Sequence, residues 1–183
     1  MGDHFVAFDL LRHGAEDFRD RPYLERLLRL IHVLNSFSHP HITLVETAYQ
    51  PPEKRELAAR LKREQREGLV LKHVDAPYTA GRPASGGPQL KYKFYESASF
   101  IVQKVNAKRS VSLLLKKDAA LVAAGNVTIP PNHSLPASGE VVDCRYLYAF
   151  PESGCIYQPT YLGPRGDLTA DDCTVDQLKY KPT

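Results

Sequence analysis

Apolar residues recur at helical spacing in the first half of the chain. One such stripe begins after Pro22 and ends before Pro40, and it predicts a helix through Leu24, Leu27, Leu28, Ile31 and Leu34. A second, thinner stripe follows Pro51-Pro52 and predicts another helix, because proline is well tolerated in a first helical turn. Short apolar runs predict strands at 4–11, 42–47 and 68–71, the first and last of them buried.

The pattern changes to short strands in the second half. Strand candidates lie at 90–105, 110–115, 120–124, 141–148 and 156–162. The turn signals that separate them are Gly125-Asn126, Pro130-Pro131-Asn132, Ser138-Gly139 and Ser153-Gly154. Five strands on this scale predict a small Greek-key barrel; an OB-fold is common on nucleic-acid enzymes, and an SH3-like barrel fits the same pattern. The chain is therefore predicted to be an α+β protein.

Composition is typical of a globular protein. The 183 residues are 43% hydrophobic and 25% charged, and no apolar run approaches the length of a membrane span. The N-terminus lacks the pattern of a signal peptide. The three cysteines, Cys144, Cys155 and Cys173, are widely spaced and include no Cys-x-x-Cys pair, so we expect reduced thiols in a cytoplasmic protein rather than a zinc site.

Charge is unevenly distributed, although the net charge is only +3. The segment from Glu53 to Lys117 holds fifteen Lys or Arg against six Asp or Glu, and the rest of the chain is net acidic. A basic centre of this kind favours a partner that carries phosphates. The alternative is that part of it is simply the solvated face of the second helix, where acidic residues alternate with the basic ones.

Two runs carry residues suited to phosphate chemistry. In the run Glu67-Gly68-Leu69-Val70-Leu71-Lys72, a carboxylate stands beside a glycine that would let a ligand approach closely, so the carboxylate could hold a divalent cation against a polyphosphate. In Lys91-Tyr92-Lys93, two lysines two residues apart lie on the same face of a predicted strand. Each lysine alone could be an exposed strand residue, but the pair favours an anionic ligand.

These runs resemble motifs of the covalent nucleotidyltransferases, which comprise DNA ligases, RNA ligases and mRNA capping enzymes. The two runs above resemble motifs IV and V, and residues 5–11 (Phe-Val-Ala-Phe-Asp-Leu-Leu) resemble motif III of DNA ligases. Residues 76–83 resemble the ligase linker between motifs IV and V. Residues 161–173 resemble motif VI, with Leu168 where that motif usually has lysine. Motif III and the linker favour an ATP-dependent DNA ligase.

The resemblance implies a domain organisation and a set of ligands. Residues 1–96 would be a partial adenylation (nucleotidyltransferase) domain, and residues 97–183 would be an OB-fold domain. ATP would donate AMP, with Mg²⁺ or another divalent cation assisting. Nicked double-stranded DNA would be the substrate, in repair, recombination or replication.

The resemblance also implies the residues of a nucleotide pocket. Phe8 would stack on the adenine, and Asp9 would support the pocket through hydrogen bonds. Glu67 would bind the metal ion, and Lys72 would contribute to nucleotide binding from the same motif. For Phe8 the alternative is a core position on a buried strand, and a structural role is equally open for Asp9.

Four further residues are implied to act on the phosphates. Lys91 and Lys93 would be catalytic, because they would neutralise the α-phosphate as charge builds during adenylyl transfer. Arg165 and Asp167 would close over the β- and γ-phosphates and orient the pyrophosphate leaving group.

The lysine nucleophile of the family, in the Lys-x-Asp-Gly of motif I, has no counterpart in these residues. The nearest imitation, Lys116-Lys117-Asp118-Ala119, follows motif V and falls inside the predicted barrel. We therefore expect a fragment, a half of a split ligase that acts with an N-terminal segment, or a relic. A non-catalytic OB-fold module that only binds nucleic acid is the alternative.

Overall fold

The computed structural model describes residues 4–37, 39–81 and 87–182. The chain forms two compact units: the first comprises Met1–Ala58 and Leu69–Tyr92, and the second comprises Ala59–Gly68 and Lys93–Thr183. Two residues of the linker-like stretch, Arg82 and Pro83, lie outside the described residues. No helix in the described ranges is long and apolar enough to cross a membrane.

In the first half of the chain, the described residues form two helices and six short strands. The helices are α1 (Tyr23–Asn35) and α2 (Pro51–Arg63). The strands are β1 (Phe5–Ala7), β2 (Arg12–His13), β3 (Glu16–Asp17), β4 (Ile42–Leu44), β5 (Gly68–Lys72) and β6 (Gln89–Lys93). They pair two by two: β1 with β4 in parallel, β2 with β3, and β5 with β6. Both predicted helices are confirmed.

Helix α1 anchors the first unit. Pro22 precedes it in an extended conformation, and the amides of Tyr23 and Leu24 donate to the carbonyl oxygens of Ala76 and Val74 at 2.9 Å. The helix thereby satisfies two of its unpaired N-terminal amides with the chain that follows β5. Its buried face also contains Arg26, a charged residue in an apolar stripe.

The strands predicted to be buried are largely exposed. Phe5 is 65% exposed, Phe8 lies beyond the end of β1, and Val70 and Leu71 on β5 are exposed. The prediction of buried strands at 4–11 and 68–71 was therefore wrong. Within the described residues each of these strands has one hydrogen-bonded neighbour, so each lies at the edge of a two-stranded sheet.

The second unit is built on one five-stranded antiparallel sheet. Its strands are β7 (Glu96–Asn106), β8 (Ser110–Lys117), β9 (Ala120–Thr128), β10 (Val141–Tyr146) and β13 (Thr160–Pro164). A small hairpin of β11 (Tyr148–Ala149) and β12 (Ile156–Tyr157) and two 3₁₀ turns, Ala170–Asp172 and Val175–Gln177, complete it. The order is β13-β10-β7-β8-β9, and the ladders of the described residues do not close it into a barrel.

Strand β7 organises this sheet because it is long enough to serve two neighbours. Its first half pairs with β10 and its second half with β8. Along β8, Val111, Leu113 and Leu115 point into the core and are at most 1% exposed, as strict alternation requires. The predicted α+β class and the five strands of the C-terminal unit are confirmed, whereas the ladders of the described residues do not show the closed barrel that was predicted.

Gly125 lies within β9, whereas the dipeptide Gly125-Asn126 predicted a turn at this position. It sits where the β8–β9 register shifts, since Leu113 pairs with Gly125 and Leu114 with Ala123. Its φ of +101° suits glycine, and such a bulge bends a strand without ending it.

Candidate functional site

A buried cluster of charges lies in the first unit around Asp9. Its carboxylate accepts hydrogen bonds from Arg26 Nε at 2.9 Å, Arg26 Nη2 at 3.1 Å and Lys72 Nζ at 3.0 Å. The three side chains are only 7%, 2% and 10% exposed, respectively. Burial acts to raise the pKa of Asp9, but the bonds from Arg26 and Lys72 outweigh it and hold that pKa below its usual value. Two cations on one carboxylate leave the cluster with a net positive charge.

Arg26 also fixes the backbone around the cluster. Its Nη1 donates to the carbonyl oxygens of Arg21 at 2.6 Å and Ala76 at 3.3 Å. One guanidinium thus joins the segment before α1, the segment after β5 and the carboxylate of Asp9. Sequence reasoning missed this residue, although its position between Tyr23 and Leu27 in the apolar stripe was a usable signal.

Phe8 and Tyr23 place aromatic rings beside the ammonium group of Lys72. Lys72 Nζ lies 4.2 Å from the ring centroid of Tyr23 and 5.3 Å from that of Phe8. Tyr23 is buried, whereas Phe8 is 61% exposed, which excludes the core role considered for Phe8. An exposed ring beside a net positive cluster can stack on a base while the cluster attracts an anion.

In the second unit, Glu67 and Lys93 contact each other. Glu67 Oε1 lies 3.2 Å from Lys93 Nζ, and Lys93 also donates to Gln158 Oε1 at 2.9 Å. The side chains expected to hold a cation and a phosphate are therefore partners here. Lys91 is exposed on β6. No group of three His, Cys, Asp or Glu residues in the described part of the chain is arranged to hold a metal ion.

Arg165 and Asp167 form a two-pronged ion pair just after β13. Arg165 Nε and Nη2 donate to the two oxygens of Asp167 at 2.8 and 2.7 Å, and Nη1 donates to Asp143 Oδ2 at 2.9 Å. The bonds from Arg165 lower the pKa of Asp167 to about 2, and its two carboxylate partners raise the pKa of Arg165. Asp143 was not predicted from the sequence.

The structure thus gathers seven of the eight predicted site residues into three local groups, and none of the contacts that define these groups includes Lys91. Phe8, Asp9 and Lys72 meet in the first unit, while the second unit contains the Glu67–Lys93 pair and the Arg165–Asp167 pair. The run that imitates motif I lies elsewhere. Lys116 is on β8 and forms an ion pair with Asp171, and Asp118 is in the turn that follows β8. Its lysines belong to none of the three groups.

Two curated proteins match part of the sequence. A probable DNA ligase of Beutenbergia cavernae is 36% identical over 84 residues, which are 46% of this chain and 16% of that protein. A probable DNA ligase of Streptomyces griseus subsp. griseus is 35% identical over 104 residues, which are 55% of this chain and 20% of that protein. Over the matched residues the chain is similar to probable DNA ligases. No family model matches it.

A solved structure shares the fold of this chain. It comes from a structure–function study of DNA binding by Lig E DNA ligases, with a TM-score of 0.65 and 22% identity, and the match covers 88% of this chain and 63% of that one. The chain spans only 16% and 20% of the length of the two curated relatives that it matches.

Proposed function

We propose that this chain supplies the C-terminal part of an ATP-dependent DNA ligase, a cytoplasmic enzyme that seals nicks in duplex DNA. The observation that carries the proposal is the exposed ring of Phe8 beside the buried Asp9–Arg26–Lys72 cluster. An aromatic face and a net positive charge are the two features that a nucleotide needs at its base and its phosphates. Kinship with probable DNA ligases supports the assignment.

Ligation takes three displacement reactions. A lysine nitrogen attacks the α-phosphorus of ATP and pyrophosphate leaves; AMP then passes from the lysine to the 5′-phosphate of the nick; the 3′-hydroxyl finally displaces AMP. In the first reaction Phe8 holds the adenine, and Lys91 and Lys93 offset the charge that builds on the α-phosphate. Arg165 orients the pyrophosphate as it leaves, and Asp167 holds Arg165 until the phosphate takes its place.

A divalent cation would bind at Glu67. A carboxylate is a hard oxygen ligand of the kind that Mg²⁺ prefers, and Mg²⁺ commonly takes one or two protein carboxylates together with phosphate oxygens. Glu67 is half-exposed and fits that pattern, provided that Lys93 releases it to bind the phosphate. When bound, the ion would draw charge away from the phosphate oxygens.

Removal of the Phe8 ring tests the adenine site. Phe8→Ala is expected to weaken binding of ATP to the chain by roughly 5- to 150-fold, the equivalent of about 1–3 kcal/mol of base stacking. Isothermal titration with ATP measures the effect. Phe5→Ala is the matched control, because Phe5 is a similarly exposed ring three residues earlier, on β1, and is assigned no ligand. Equal losses in both variants, or none in Phe8→Ala, would contradict the assignment.

A non-catalytic module that clamps nucleic acid is the second candidate. The excess of basic residues between Glu53 and Lys117 favours it. Both candidates require electrostatic contacts with DNA phosphates, so affinity for a nicked duplex should fall steeply with salt, by roughly −0.9 in the log–log slope for each phosphate neutralised. Fluorescence anisotropy with a labelled nicked duplex measures that slope. Absent or salt-insensitive binding would contradict both candidates.

A further inference from the structure

The two carboxylates that contact Arg165 differ in their surroundings. The side chain of Asp143 is 22% exposed and that of Asp167 is 67% exposed. Asp143 lies on strand β10, where its backbone is held between β7 and β13, whereas Asp167 lies in the loop after β13. A guanidinium between such partners has one fixed contact and one that solvent can readily replace.

Asp143 is itself fixed by a chain of buried contacts. Ser99, which is 6% exposed and directly opposite on β7, donates from its hydroxyl to Asp143 Oδ1. The side-chain amide of Gln177 accepts from the Ser99 amide at 2.9 Å and donates to the Ser99 carbonyl oxygen at 3.0 Å. Three segments of the second unit therefore hold this carboxylate in one orientation.

The division of the guanidinium between the two acids follows from its atoms. Nη1 donates to Asp143, and the Nε–Nη2 edge donates two parallel hydrogen bonds to Asp167. Such an edge also matches two oxygens of a phosphate. A phosphate can therefore replace the exposed Asp167 at that edge while Asp143 keeps its contact with Nη1.

We infer that Asp143 is a positioning residue, which holds Arg165 so that its Nε–Nη2 edge is available to bind a pyrophosphate group. The inference rests on the proposed function, because it takes Arg165 to bind phosphates. Asp143 acts only through Arg165, and Ser99 acts only through Asp143. The gain is preorganisation: an arginine held in place loses less conformational freedom when it binds an anion.

Titration of the 183-residue chain with inorganic pyrophosphate tests this role. Asp143→Asn is expected to weaken binding by about 10-fold, since a misplaced binding group loses affinity without any change at the ligand. Ser99→Ala should cause a smaller loss in the same direction, and Asp143→Glu should recover part of the loss. Asp171→Asn is the control, because it removes another carboxylate of the second unit, one that pairs with Lys116.

Thermal unfolding of each variant separates positioning from stability. A lower melting temperature with unchanged pyrophosphate affinity would overturn the inference, and so would tighter binding by Asp143→Asn, which would make Asp143 a competitor of the ligand. Arg165→Ala separates the proposed phosphate role of Arg165 from the positioning role of Asp143. If the unaltered chain binds no pyrophosphate, or if Arg165→Ala does not weaken binding, the proposed phosphate role of Arg165 fails together with the inference. If Arg165→Ala weakens binding and Asp143→Asn does not, the inference alone fails.

Discussion

Replacing Arg26 by alanine is expected to lower the free energy of unfolding of the first unit by about 3–5 kcal/mol. The substitution leaves Asp9 buried with Lys72 as its remaining cation, and it removes the donor that Arg21 and Ala76 share for their carbonyl oxygens. The largest cost falls on Asp9, whose side chain is 7% exposed, because a buried carboxylate that loses two donors cannot readily replace them with water.

Urea unfolding followed by circular dichroism measures this loss. Arg19→Ala is the matched control in the same unit: Arg19 lies 3.6 Å from Asp17, and both side chains are more than half exposed. Exposed pairs of this kind contribute between zero and about 1 kcal/mol. Similar losses in Arg26→Ala and Arg19→Ala would contradict a special role for the buried cluster.

The acid limb of the same measurement reports on Asp9 itself. Because the folded state holds the pKa of Asp9 below its usual value, the cluster contributes fully above the unfolded pKa of about 3.9, and its contribution is lost as pH falls through the lower folded value. The stability gap between the unaltered chain and Arg26→Ala should therefore narrow below about pH 4. A difference in the free energy of unfolding that stays constant to low pH would show that the charge of Asp9 does not contribute to the stability of the cluster.

Local patterns were enough to predict the helices and the strands of the second unit. The stripe from Leu24 to Leu34 has one period and one proline at its start, and the alternation along β8 places every second residue in the core. In such segments the local preference and the tertiary packing agree. Gly125 failed as a turn signal because glycine is equally suited to a bulge inside a strand.

Burial in the first unit could not be predicted from runs of apolar residues. The run at 4–11 has the composition of a central strand, but its degree of burial depends on how many neighbours a strand acquires. Strand β1 has one neighbour, β4, and Phe5 and Phe8 remain exposed. The number of neighbours is a property of the whole sheet and is not encoded in the run itself.

The candidate site shows the same limit. Motif resemblance singled out Phe8, Asp9 and Lys72, and the structure brings these three together. The motif resemblance did not indicate Arg26 or Asp143, because these two residues act through contacts with residues 17 and 22 positions away in the sequence, respectively. A charged residue in an apolar stripe is the one local clue, and it indicates burial without naming the partner.

We expect adenylyl transfer to depend entirely on a second segment, since the 183 residues contain no Lys-x-Asp-Gly. In the proposed function, Phe8 binds the base and the cations bind the phosphates, and a separate segment has to supply the nucleophile. Lys72, the lysine at the centre of the first cluster, is held by Asp9 and is 10% exposed, so it is poorly placed to attack a phosphate. The chain alone should therefore form no covalent adenylate.

An N-terminal ligase segment that carries Lys-x-Asp-Gly should change that result. Such a segment could come from in-frame sequence upstream of Met1 or from the Beutenbergia cavernae relative, which is 36% identical to this chain in the matched region. The same segment with its nucleophilic lysine replaced by alanine is the control. A DNA-binding module without a catalytic role would give no adenylate in either mixture.

The most direct test of the account is incubation with ATP labelled in the α-phosphate, in the presence of magnesium, followed by denaturing electrophoresis. We predict no label on the 183-residue chain alone, and label on the supplied N-terminal segment only when this chain is present. Covalent label on this chain alone would contradict it, because the nucleophile would then lie within these residues.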